Sequence, residues 1–147
     1  MAATKPDPWP WPAELDGPIA AAGNHRVLFE NDRVRVLDTF IPAGETTPIH
    51  THATPTVTYV ISGSHFRRRD DRGAVVLDTL TMDPPFVMPS VLFSEFIPSH
   101  TLENSGPDDL HLIGVELKDP DQVPARKSVQ APVRSTITKP GAPLRSS

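Results

Sequence analysis

The chain has 147 residues, 37% of them hydrophobic, with a formal net charge of -4 and no cysteine. That is enough for one domain with its own core, and the missing cysteine excludes a disulfide framework, a thiolate metal site and a cysteine nucleophile. The acidic balance excludes a general nucleic-acid binder, and no apolar run reaches the length of a signal-peptide core or a membrane span, so a soluble cytoplasmic protein is expected.

Proline divides the chain. Residues 1–18 hold Pro6, Pro8, Pro10, Pro12 and Pro18, residues 119–147 hold Pro120, Pro124, Pro132, Pro140 and Pro143, and the remainder of the 18 prolines are spread between. Residues 1–24 read as an arm in which alternating Trp and Pro around Trp9 and Trp11 forbid a helix, followed by one or two helical turns ended by Gly23. The tryptophans are expected to dock on the domain or on a neighbouring subunit.

From His25 the pattern has period two. HRVLFEN and DRVRVLDTFI alternate apolar and polar positions about an Asn31-Asp32 turn. Further strands are expected at Thr56 to Ile61, His65 to Arg69, Ala74 to Thr81, Leu92 to Ile97 and Leu110 to Leu117. Turn clusters separate them at 42–44, 62–64, 70–73, 83–85 and 104–107. Short strands at regular spacing without a long helix predict an all-β sandwich or barrel over residues 25–118. Residues 119–147 read as a polar, proline-rich tail, with Val129, Val133 and Ile137 as its few apolar anchors.

The stretch HTHATPTVTYVISG, His50 to Gly63, carries the chemistry. Residues i and i+2 of a strand share a face about 6.6–6.8 Å apart, so His50 and His52 can converge on one ion at about 2.0–2.2 Å. Thr56, Thr58 and Val60 are expected on the face of these histidines, and Val57, Tyr59 and Ile61 on the other. An outward apolar face wants a cover, which the tryptophan arm or a second copy could supply.

Gly44, five residues, His50-Thr51-His52, and then Gly63 in register resemble the first motif of the cupin superfamily, in which a glutamate stands where this chain has Thr56. His100-Thr101-Leu102-Glu103-Asn104 is similar to the end of the second cupin motif. The earlier part of that motif fits poorly, since its proline and two glycines fall on Glu95, Ile97 and Pro89. The LFENDRVRVLDT strand is similar to those of small single-domain bacterial cupins. The resemblance covers about residues 26–118. It implies a cupin double-stranded β-helix, a homodimer, and a divalent transition metal on His50, His52 and His100, with His100 also in a catalytic role.

With Thr56 in place of the carboxylate, such a site keeps the full charge of its ion and more open positions. Imidazole ligands suit Fe(II), Zn, Ni or Cu. Fe(II) is the first expectation from the resemblance, and a dioxygenase the most typical activity. The alternatives are a metal-free isomerase or cyclase with a histidine acid/base, or a non-catalytic small-molecule-binding protein. Substrate contacts are expected from Thr56, Thr58, Phe93, Phe96 and His111, the phenylalanines belonging to an apolar segment able to wall a cavity. Glu45 and Glu103 are weighed as stand-in carboxylates, Glu103 facing outward. His25 and His65 match no motif and receive no role. Arg67 to Arg72 read as a solvated hairpin turn.

Overall fold

The computed structural model describes residues 5–119. Nine strands follow a 3-10 turn at Ala13–Leu15 and a four-residue helix, α1, at Gly17–Ala20. They are β1 (His25–Glu30), β2 (Val34–Ile41), β3 (His50–His52), β4 (Thr56–Ser62), β5 (Phe66–Asp70), β6 (Val75–Asp78), β7 (Ser90–Ser94), β8 (Ile97–Asn104) and β9 (Leu110–Leu117). A five-stranded sheet in the order β1-β2-β9-β4-β7 faces a four-stranded sheet in the order β3-β8-β5-β6. Every named strand pair is antiparallel. This is the expected all-β double-stranded β-helix.

The interior follows from the strand register. Ile41 lies opposite Leu110, and Val60 opposite Leu112. With Phe66 and Leu102 these residues form the buried apolar core. Two residues along each strand the filling changes, to Thr58 opposite Gly114 and then Thr56 opposite Glu116. Side chains of alternate residues share a face, so the same strands that plug the barrel with aliphatic groups bring Thr56, Thr58 and Gly114 to a cavity further along.

Several expected boundaries shift. The run Leu92 to Ile97 is two strands, broken at Glu95-Phe96, and β8 continues through His100 to Asn104. Its alternation is hidden in the sequence because Ser99 and His100 are both buried. The strand expected over Ala74 to Thr81 stops at Asp78, whose carboxylate accepts from the Leu80 N–H at 3.0 Å and starts a 3-10 turn at Thr79–Thr81. The helix ends at Ala20, ahead of Gly23.

Gly63 sits at φ +119°, and a Cβ there would come within 2.7 Å of the Leu110 side chain and 3.2 Å of its Cα. Both conditions exclude any other residue at low cost. The arm folds back onto the domain, Trp9 packing 4.7 Å from Trp11 and 5.8 Å from Phe96 between ring centroids. Apart from Asp119, the expected tail with Val129, Val133 and Ile137 lies outside the described residues. Among the described residues, no helix is long and apolar enough to cross a membrane.

Candidate metal centre

Four histidines meet inside the barrel. His50 and His52 arrive from β3, as their spacing predicts, His100 from β8 and His25 from β1, and all are buried. One ring nitrogen each from His25, His50 and His52 lies within 4.8 Å of the other two. His25 Nε2 is 3.0 Å from His50 Nε2. Two ligands at about 2.1 Å from one ion, at a right angle, are separated by about 3.0 Å. This close approach suits a shared cation.

The structure brings a fourth histidine to the expected trio of His50, His52 and His100. His100 packs against His50 with ring centroids 4.2 Å apart, yet stands outside the group whose nitrogens all converge. His25 completes that group. The sequence hid it because His25 lies on a different sheet from β3 and matches no motif. Its inward orientation comes from pairing opposite Thr39, an inward residue of β2.

Hydrogen bonds on the far side of each ring set which nitrogen is free. His50 Nδ1–H donates to the Pro48 carbonyl at 2.8 Å, and His100 Nδ1–H to the Pro98 carbonyl at 2.7 Å. Each therefore keeps Nε2 as its bare nitrogen when neutral. His52 Nδ1 donates to Glu116 Oε1 at 3.0 Å. His25 Nδ1 lies 2.7 Å from Thr39 Oγ1, and this hydroxyl can either donate or accept. Without a cation, Thr39 donates to His25 Nδ1 and His25 Nε2–H donates to His50. With one, His25 would carry its proton on Nδ1, Thr39 would accept it, and both Nε2 atoms would be free to ligate.

Burial pushes His25 down to about 3, helped by the neighbouring His52 and His50. It pushes His50 down to about 4, again with His52 contributing. Burial, and then His50, hold His100 well below the ordinary histidine range. At neutral pH these three rings are uncharged, the form in which imidazole binds a metal.

The carboxylate of the site is Glu116, which the sequence reading missed. It is 2% exposed and bonds both His52 and Arg35. Burial alone would raise its pKa, but the hydrogen bonds from His52 and Arg35 outweigh that and hold it low. Arg35 grips both Asp16 oxygens, at 2.7 and 2.8 Å. Asp16 begins α1 without capping it, because its carboxylate serves Arg35. Glu45, by contrast, is exposed, and Glu103 faces outward toward Arg67 and Arg69 at 3.7 and 3.8 Å.

The histidines open on a cavity of about 210 Å³. Thr56 and Thr58 line it, whereas Phe93 borders it from the edge strand β7, lies opposite the outward Val57 and is 59% exposed. Phe96 and His111 do not line it. Phe96 turns aside to pack on Trp9, and His111 points out from β9 to Asp38 and Phe40. His111 alternates with the inward Leu110 and Leu112, and this parity places it on the other face. His65 lies away from the cavity, its Nδ1 3.3 Å from Thr79 Oγ1.

No protein-family model matches the sequence, and no curated protein does. Among solved structures, the chain is similar to a cupin domain from Bordetella pertussis Tohama I, at 18% identity over 65% of this chain and 92% of that one, with a TM-score of 0.53. It is also similar to an RmlC-like cupin family protein with a double-stranded β-helix fold from Methanocaldococcus jannaschii, at 15% identity over 66% of this chain and 81% of that one, with a TM-score of 0.50. At such identity the likeness concerns the fold and leaves the chemistry to the residues of the site. The chain folds as a cupin, with a buried cluster of histidines in its barrel able to hold a metal ion.

Proposed function

We propose that this protein is a metal-dependent enzyme acting on a small organic molecule, its divalent transition ion held by His25, His50 and His52. The observation that carries the reading is the convergence of three buried imidazoles, with His25 and His50 Nε2 only 3.0 Å apart. Neutral nitrogen ligands favour Fe(II), Zn, Ni or Cu over Mg or Ca. Such an ion, when bound, supplies Lewis-acid or O₂-dependent chemistry, and a dioxygenase remains the typical activity for this kind of site. Glu116 orients His52, Thr39 orients His25, and the aliphatic layers below keep bulk water from the rings. His100, kept neutral by burial, stands beside the trio with Nε2 bare and can accept a hydrogen bond from a substrate.

Elemental analysis of the full chain tests this. Near-stoichiometric metal is expected in the wild type and its loss in His25→Ala and His50→Ala, while His100→Ala retains most of it. Metal kept in His25→Ala but lost in His100→Ala would move the ion to the other trio. Metal absent from every preparation, even after incubation with each ion, would end the reading.

A second reading rests on the same pair. Without a cation, Thr39, His25 and His50 form a chain of hydrogen bonds ending on the Pro48 carbonyl, suited to moving a proton in a metal-free isomerase or cyclase. Turnover by protein stripped of metal would favour it.

We also propose that two copies pair through the outer face of the five-stranded sheet. The arm covers Phe96 and leaves that face open.

A further inference from the structure

Three consecutive arginines lie on β5. Arg67 and Arg69 point outward, where Arg67 meets Asp78 at 3.0 Å and both lie near Glu103. Arg68 lies between them and takes the same face as Phe66, so it lines the cavity. It is therefore not part of the solvated turn expected from the sequence. Its Nε is buried without a hydrogen-bond partner. Among the described residues, no carboxylate is within ion-pair distance of its guanidinium, whereas every other inward-facing charge here is matched. Glu116 does not serve it, being occupied by His52 and Arg35.

Arg68 is half-buried with its Nε shut away from solvent, and a charge so placed without a partner gains more from one than it would in water. Burial lowers Arg68 to about 10, which still leaves it charged at neutral pH. A cation on the histidines would add positive charge to the same cavity. The missing component is an anion. A guanidinium offers parallel donors that match a planar carboxylate. The rest of the lining is largely aliphatic, including Leu37, Leu77, Leu92 and Leu112. A cavity of about 150 Å³ accepts benzene, so one of about 210 Å³ accepts a ring-sized body with its carboxylate.

We propose that the cavity binds a small monocarboxylate with an apolar body, and that Arg68 holds its carboxylate beside the histidines. This rests on the reading of the cavity as the substrate site.

Isothermal titration of the metal-stripped full chain with benzoate and 4-methylpentanoate, each against its amide, tests the assignment. At least one acid is expected to bind more than about tenfold tighter than its amide. Arg68→Met is expected to erase that preference and Arg68→Lys to keep part of it. The unliganded Arg68→Met protein is expected to melt no lower than wild type, since it loses an unpaired, half-buried charge, and this separates lost binding from lost folding. No measurable binding of either acid, equal affinity for acid and amide, or a preference retained in Arg68→Met overturns the proposal. Metal content is measured separately on the same variants. Failure to find metal leaves an Arg68-dependent preference standing, while metal retained without that preference sinks the carboxylate assignment alone.

Discussion

Glu116 shows how far a single residue's role can lie from its position in the sequence. Its carboxylate fixes the His52 ring through one oxygen and takes Arg35 on the other. Glu116→Gln keeps the shape and removes the charge, so metal affinity is expected to fall about 10–100-fold, read by competition with a chromophoric chelator. The histidines also set a pH dependence. His25 and His50 have folded values of about 3 and about 4, below the ordinary value near 6.5. Between pH 6.5 and 4 the unfolded chain therefore binds protons that the folded chain refuses. Stability of the metal-free protein is full above pH 6.5 and falls as pH drops through this window, by about 1 kcal/mol per pH unit for each histidine. Denaturant titrations at pH 7, 6 and 5 check this, and a midpoint that rises on acidification would contradict it.

At the scale of the element, the short β3 is useful because its neighbours hold it. His50 lies opposite His100 and His52 opposite Ile97, with an irregularity between them, and Thr51 bridges to Asp16 ahead of α1. All three residues of β3 are buried, with both histidines facing His25 of β1. The β4 to β5 turn depends on Gly63 for its left-handed backbone and for its closeness to Leu110. Gly63→Ala is expected to destabilise the fold by about 2 kcal/mol through strain in the turn and displacement of a core leucine. A thermal midpoint equal to wild type would show that the turn relaxes instead.

For the whole molecule, the outer face of the five-stranded sheet is the feature that a single copy leaves unresolved. The register places Phe29, Val36, Val115, Val57 and Phe93 in one row across all five strands. Phe29 is 48% and Val57 36% exposed. An uninterrupted apolar row of this kind marks an interaction surface, and a second copy offers the same row in return. Light scattering on the full chain is expected to give a dimer, and Val57→Lys, which puts a charge inside the row between Val115 and Phe93, a monomer. A wild-type monomer at micromolar concentration would refute pairing of two copies.

The strand periodicity, the turn residues and the alternation of β4 were legible in the sequence, because each is a property of neighbours along the chain. They sufficed for the all-β fold and for the shared face of His50 and His52. The tertiary structure alone decided that His25 joins them, that Glu116 braces the site and that Arg68 enters it. These groups come from β1, β9 and β5, and only the closing of two sheets brings strands so distant in sequence to one point. Inward parity also excluded His111 and admitted Arg68. That parity is fixed by which side of each strand the barrel buries, which no single strand carries in its own residues.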